Sequence, residues 1–367
     1  MFIGIDASRA LRARRTGTEN YSLQLIRHLL ALGSEHTFRL YCDRVPPDRV
    51  FGSEATPELR VMPFPRLWTH ARLSWEMVRQ PPDVLFIPAH VLPLHHPRRS
   101  VVTIHDLGYL RYPEAHTRRQ RTYLRWSTGW NAHQSAHLLL DSETTKSDLV
   151  ARYRVPPEKM TVVYPGWDET LRPLTDAAAL AAVRARYGLD RPYILHVGTL
   201  QPRKNLVRLV EAFARMRDAD LRLVLAGKKG WLAEPIYRKV EELRLGDAVR
   251  FPGYVEDADL SALLSGAACF AFPSLYEGFG FPVLEAQVCG TPVVASNISS
   301  VPEVAGDAAL LVDPHDTEAL AAALARVLHD GALRTDLIEE GFANVQRFSW
   351  RRCAEQTLAV LESVGRG

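Results

Sequence analysis

Short runs of β-branched and aromatic residues recur along the chain. Each is followed by a longer stretch whose apolar residues repeat at helical spacing. The first series of strands is read at Phe2–Ile5, Phe38–Cys42, Val84–Ile87, Val101–Ile104, His137–Leu140 and Met160–Val163. Thr16-Gly17-Thr18-Glu19 has the spacing of a capping box and predicts a helix running to about Leu32. Tyr164-Pro165-Gly166-Trp167 and Pro173 interrupt the pattern. A second series then follows at Tyr193–Val197, Leu221–Ala226, Val249–Phe251, Cys269–Phe272, Val293–Ala295 and Ala309–Val312, with helical stretches such as Leu206–Arg217 and Glu318–His329 between. Strands alternating with helices predict parallel sheets covered on both faces. Two such series predict an α/β protein of two Rossmann-like domains joined near residues 165–190.

A length of 367 residues allows two domains with a core each. The net charge of +3 does not mark a nucleic-acid binder, and nucleic acid is excluded as a partner. That charge is uneven: residues 1–170 carry +6 and the remainder −3. The basic half fits a phosphate-rich acceptor or an anionic membrane surface, or else is ordinary solvated charge. Cys42, Cys269, Cys289 and Cys353 form no CxxC pair and read as small buried hydrophobes, as expected in a reducing cytoplasm. No leader precedes the first strand and no apolar run is long enough to span a bilayer, so the expected location is cytoplasmic, with peripheral contact at the inner face of the membrane.

In open parallel sheets ligands bind beyond the carboxyl ends of the strands, and a cleft between the two domains is the expected site. The segment Ser274–Ala286 follows one strand with the order Gly-rich loop, then helix start. Gly278 and Gly280 let backbone approach a ligand, Pro282 suits the first helical position, and Gly290 suits the residue past the helix end. Such a helix start offers free N–H groups to a diphosphate. Glu277 at the loop mouth and Glu285 in the first turn could each accept hydrogen bonds, one from a sugar and one from a ribose. His196–Asn205 follows the first strand of the second domain. There Arg203 and Lys204 open a helix against its dipole, a placement that a diphosphate would explain. His105-Asp106 leaves a strand end in the first domain, and Gly17 stands where the first helix begins.

These residues resemble a known family. Glu277–Glu285 is similar to the E-x7-E motif of retaining GT-B glycosyltransferases of family 4, which include bacterial mannosyltransferases and sucrose synthases. His196–Asn205 resembles that family's glycine turn and basic pair, Thr103–Leu107 its His-Asp strand end, and Phe348-Ser349-Trp350 its C-terminal crossover. The resemblance implies an acceptor-side domain over 1–167, a nucleotide-sugar domain over 168–349, and a last helix, 350–367, packing back on the first. It implies that Glu285 binds the ribose and Glu277 the donor sugar. Arg203 and Lys204 would stabilise the leaving diphosphate, and His105 would contact the sugar near the reaction centre. Gly17, Gly198 and Thr199 would border the donor, Tyr254 and Val255 would hold the base, and Gly278, Phe279, Gly280, Phe281, Val283 and Leu284 would complete the donor site. The resemblance to mannosyltransferases of polysaccharide assembly further implies hexose transfer with retention to a glycan or lipid-linked acceptor, with mannose from GDP-mannose as the candidate donor.

No metal and no cofactor beyond the nucleotide-sugar donor is expected. Asp257-Ala258-Asp259 spells DxD but reads as a helix N-cap, and Asp218-Ala219-Asp220 reads as a turn. A sugar-nucleotide epimerase and a non-catalytic sugar-nucleotide-binding module are the alternatives. A nicotinamide enzyme is disfavoured because no G-x-G-x-x-G follows the first strand. Leu67, Ala71, Trp75 and Val78 share a helical stripe between Arg66 and Arg79. It predicts a core-packing helix, with a membrane or a lipid-linked acceptor as the alternative. His116–Arg121 adds local positive charge that could meet an acceptor phosphate.

Overall fold

The computed structural model describes residues 1–12, 17–52, 57–89 and 91–367. By its contacts the chain divides into two compact units. The first comprises Met1–Leu107, Thr117–Gly166 and Phe348–Gly367, and the second Gly108–His116 and Trp167–Arg347.

The first unit holds seven parallel strands: β1 (Phe2–Asp6), β2 (Thr37–Cys42), β3 (Glu58–Val61), β4 (Val84–Ile87), β5 (Ser100–Ile104), β6 (His137–Leu140) and β7 (Met160–Val162). They lie in the order β3-β2-β1-β4-β5-β6-β7. The second unit holds β8 (Tyr193–Val197), β9 (Arg222–Ala226), β10 (Val249–Gly253), β11 (Cys269–Phe272), β12 (Val293–Ser296) and β13 (Leu310–Val312), in the order β10-β9-β8-β11-β12-β13. Both sheets follow the Rossmann order, reversing direction between β1 and β4 in one unit and between β8 and β11 in the other. The central strands are continuous apolar runs because helices cover both faces: every residue of β4, β5, β9, β11 and β12 is buried.

Strand β3 was not legible in the pattern. It is an edge strand bonded only to β2; Glu58 and Arg60 are charged, and Glu58 and Leu59 are exposed. The proposed capping residue Thr16 lies outside the described residues. The four cysteines are free and buried, and no described helix is long and apolar enough to cross a membrane.

The stripe Leu67, Ala71, Trp75, Val78 does not pack into the core. Leu67 is 71% exposed, Trp75 57% and Val78 52%, while Trp68, Leu73 and Met77 are buried. The segment opens as a π-helical turn, Trp68–Leu73, and becomes an α-helix only at Ser74–Arg79, which shifts the buried face. Two anchors hold that rotation: Trp68 Nε1 donates to Met62 O at 2.8 Å, and buried Glu76 pairs with Arg60 and Arg72 at 2.7 and 2.9 Å.

The last helix, Trp350–Arg366, packs within the first unit on the helix Gly17–Ala31 and on β4, β5 and β6. Its entry is a close backbone contact. A Cβ on Gly166 would stand 2.2 Å from Trp350 N, and Trp350 itself is buried with its ring against Tyr21 and His28. Gly166→Ala is therefore expected to cost at least about 1–3 kcal/mol, the range for forced overpacking, and to lower the melting temperature. Gly33→Ala is the control for strain alone, since a Cβ there meets open space at φ +64°.

Candidate donor-binding site

In the second unit the loops after β8 and β11 lie side by side at the point where strand order reverses. After β8, Gly198 passes against Gly227 so closely that a Cβ on Gly227 would stand 1.9 Å from Gly198 O. The chain continues through Thr199 into a tight 3₁₀ turn, Pro202–Lys204. Asn205 then takes the left-handed conformation at φ 60°, held by its amide on Pro273 O (3.2 Å) and Pro314 O (2.7 Å). The helix begins only at Leu206. Arg203 and Lys204 thus precede the helix instead of opening it, and their charge answers a carboxylate.

That carboxylate is Glu277. Lys204 Nζ donates to Oε1 and Arg203 to Oε2, both at 2.7 Å, and Arg203 also donates to Tyr276 O at 2.6 Å. The cluster is almost wholly shielded from water, with the Glu277 side chain 8% exposed and that of Lys204 9%. Burial pushes the Glu277 carboxyl up, but the two cations outweigh it and hold it down at about 2. Lys204 Nζ also lies 4.9 Å over the Phe272 ring.

His196 is stacked 6.5 and 6.0 Å from Phe270 and Phe272 and donates from Nδ1 to Ala271 O at 3.0 Å. Burial and the charge of Lys204 lower it to about 4, so the ring is neutral, and its buried Nε2 has no partner among the described residues. The backbone of the acidic loop is pinned by two serines that sequence reading missed. Ser299 Oγ donates to Glu277 O (2.7 Å) and accepts from Glu277 N (3.0 Å), and Ser300 Oγ donates to Phe279 O (2.7 Å). Their signal was position alone, just beyond the carboxyl end of β12. Tyr112 adds a bond from its hydroxyl to Leu275 O at 3.2 Å, which draws Gly108–His116 into this unit.

The helix Phe281–Val288 starts from Gly280, at φ +124°. Pro282 is its second residue and Glu285 its fifth, one turn deeper than expected, while Gly290 closes it at φ +70°. Val283, Leu284 and Phe279 are buried in the core and offer no exposed side chain to a ligand. Burial, reinforced by Asp168 and Asp257, raises Glu285 to about 7 against the pull of Lys204. On β10's loop, Val255 is buried and Tyr254 is half exposed, with Lys228 5.0 Å over its ring. Neither DxD has the role of a cap. Glu256 is the cap of the helix Asp257–Ser265, and Asp259 is taken by Arg186 and Tyr187 at 2.6 and 2.7 Å. Asp218 closes a turn onto Asp220 N.

Gly17 and His105 belong to the first unit. His105 sits at the end of β5, but its ring faces the protein: Nδ1 meets Asp141 Oδ2 at 2.6 Å and Nε2 meets Pro88 O at 3.0 Å. Burial lowers its pKa, yet Asp141 outweighs burial and raises it. Burial raises the Asp141 carboxyl as well, against the pull of the ring, and both ring nitrogens of His105 are occupied. Its partner is Asp141 on the next strand, while the neighbouring Asp106 is exposed.

Two parallel-sheet Rossmann-like units with a cation-lined helix start are the architecture of GT-B glycosyltransferases. Residues 15–171 match the model described as Glycosyltransferase Family 4, and residues 183–343 match Glycosyl transferases group 1. The O-antigen chain mannosyltransferase B of Escherichia coli is 30% identical over 96% of this chain and 98% of its own. Among solved structures, sucrose-phosphate synthase of Thermosynechococcus elongatus superposes with a TM-score of 0.77 at 23% identity, covering 99% of this chain and 98% of that one. HepE of Anabaena, in complex with UDP and glucose, superposes with 0.76 at 18% identity, covering 99% of each. The chain belongs to glycosyltransferase family 4, the glycosyl transferases group 1.

The raised Glu285 carboxyl makes stability depend on pH. A carboxyl that holds its proton more tightly when folded stabilises the fold below about 4.5 and loses that contribution as pH rises towards 7. Glu285→Gln should therefore unfold at a higher temperature than the parent at pH 8, by at most about 3 kcal/mol at 1.36 kcal/mol per pH unit, and match it at pH 4.5. Equal melting curves at both pH values would show that the carboxyl is not perturbed.

Proposed function

We propose that this glycosyltransferase moves a hexose, mannose from GDP-mannose, to a glycan or lipid-linked acceptor, with retention of anomeric configuration and without a metal ion. The observation that carries the reading is the Arg203–Lys204–Glu277 cluster beside the start of the helix Phe281–Val288. A departing nucleoside diphosphate gains negative charge as the glycosidic bond breaks. Two cations fixed in a low-dielectric site stabilise that charge with no reorganisation. Glu277 holds both cations in place and turns its remaining acceptor capacity to the sugar hydroxyls, while Glu285 meets the ribose. With the cation pair in this role and Asp259 already committed to Arg186, no metal is needed at the diphosphate. The near full-length likeness to an O-antigen mannosyltransferase supports mannose and a glycan acceptor, and HepE, solved with UDP and glucose, supports a nucleotide-sugar donor. The exposed stripe Leu67, Ala71, Trp75, Val78 is the face through which the protein touches an anionic membrane bearing a lipid-linked acceptor.

Calorimetry with GDP, UDP, ADP and dTDP tests the donor, with GDP expected to bind tightest; preference for another base would replace GDP-mannose in this reading. Transfer is expected to continue in EDTA, and restoration of lost activity by Mn²⁺ would overturn metal independence. NMR of the first product formed reads the anomeric outcome directly.

Three variants separate the roles within the cluster. Lys204→Ala should weaken GDP binding and lower kcat, the latter by roughly 10²–10³ as for a lost oxyanion-type donor. Glu285→Ala should act mainly on donor KM. Glu277→Gln should lower kcat yet leave GDP affinity equal or tighter, because it removes a negative charge that competes for the same cations. Weaker GDP binding by Glu277→Gln would mean that the acidic loop is a nucleotide clamp and not a sugar contact.

A further inference from the structure

We propose that the exposed face of the helix Arg118–Gln134 is a platform that binds the glycan chain of the acceptor, a proposal that rests on the acceptor reading above. Tyr123, Trp126 and Trp130 recur three and four residues apart, so their rings line one face of the helix. The Tyr123 and Trp126 centroids are 5.8 Å apart, and Trp126 and Trp130 stack at 6.0 Å and 19°. The neighbouring segment fixes this ladder. His70 Nε2 is 3.1 Å from the Tyr123 hydroxyl, and its ring stands edge-on to Trp126 at 5.6 Å. His96 stands at 90° to Trp130. Yet Tyr123 remains 38% exposed and Trp126 42%. They line a shallow depression of about 480 Å³ together with Arg118, Arg119 and Thr122.

Stability alone does not explain these residues. The first turn of the helix carries Arg118 and Arg119 and no acid, against its own dipole, although a capping box closes the end well. Large aromatic faces held open to water likewise forgo burial worth about 25 cal/mol per Å². The place in the fold also fits a ligand. This helix connects the parallel neighbours β5 and β6, so it runs opposite to them, and its N-terminal half lies toward their carboxyl ends, where such sheets bind ligands. Arg9, three residues beyond β1, is near enough to act electrostatically on the Tyr123 hydroxyl.

The chemistry selects a glycan. A pyranose ring has an apolar C–H face that stacks on an aromatic ring and a rim of hydroxyls that take up donors beside it. Preorganised rings next to two guanidinium groups match both features, and the Thr122 hydroxyl, which donates to Arg118 O at 3.0 Å, keeps its acceptor side for a sugar hydroxyl. A lipid tail would leave those polar groups unanswered. The stripe of Leu67, Ala71, Trp75 and Val78, on the neighbouring segment, is of the kind a bilayer fits.

The test titrates the intact protein with α-linked manno-oligosaccharides of two to eight residues, plain and phosphorylated. Binding is followed by tryptophan fluorescence and calorimetry, with phosphatidylglycerol vesicle flotation in parallel. Affinity is expected to rise with chain length, to fall tenfold or more in Trp126→Ala, and to be largely kept in Trp126→Phe. Arg118→Ala with Arg119→Ala should weaken it three- to tenfold. Melting curves and GDP affinity should match the parent, which shows that the variants fold and that the donor site is separate. In transfer assays the acceptor KM should rise in Trp126→Ala more than kcat falls. If the parent binds no oligosaccharide, if Trp126→Ala binds as the parent does, or if the substitution abolishes vesicle flotation instead, the platform is refuted. Oligosaccharide binding lost in Trp126→Ala, in a protein that transfers no sugar to any acceptor, would uphold the platform and overturn the transferase reading.

Discussion

The second unit is organised around one buried carboxylate. Glu277 is taken out of water together with Arg203 and Lys204, and none of the three could be buried alone without a large desolvation cost. That mutual dependence determines the loops that carry them. The β8 loop must turn tightly at Pro202–Lys204, and Asn205 must take a left-handed conformation, for both cations to reach one side chain. The β11 loop must hold its backbone still, which Ser299, Ser300 and Tyr112 accomplish from three other segments. Phe272 beneath Lys204 and His196 beside it, whose pKa burial lowers to about 4, complete the surroundings of the ammonium without adding a competing cation.

The first unit repeats the topology and uses its strand ends differently. At the end of β5 the His105 ring is enclosed by Asp141 and Pro88 O and edged by the Tyr21 ring at 4.7 Å. Tyr21 in turn meets Trp350 of the last helix, so the C-terminus is part of the packing that holds this strand end. With both ring nitrogens occupied, His105 presents no free imidazole nitrogen.

The two exposed apolar surfaces of the first unit have one cause. The π-helical turn at Trp68–Leu73 rotates Leu67, Ala71, Trp75 and Val78 outward, and the same turn points His70 at Tyr123 and Trp126. A regular helix from Leu67 could not bury Trp68 and Met77 on one side and supply His70 to the ladder on the other.

Much of this was written locally. Alternation of apolar runs and helical spacing suffices for two parallel α/β sheets, because buried central strands such as Val84–Ile87 are apolar throughout. Glycines before a helix, with two glutamates separated by seven residues, suffice to mark a strand–loop–helix turn that carries two buried or half-buried carboxylates. Edge strand β3 escaped because Glu58 and Arg60 interrupt it and Leu59 faces water, so no apolar run is left to read. Other features depended on contacts between segments remote in sequence. Nothing near Arg203 or Lys204 shows that Glu277, more than seventy residues on, neutralises them, nor does Asp106 reveal that His105 prefers Asp141. The outward turn of the Trp75 stripe was likewise invisible, because helical spacing states that a face exists but not which way it points. Sequence determines periodicity and the chemistry on offer. Only the packed structure decides which charges share one low-dielectric space, because that depends on what else is buried there.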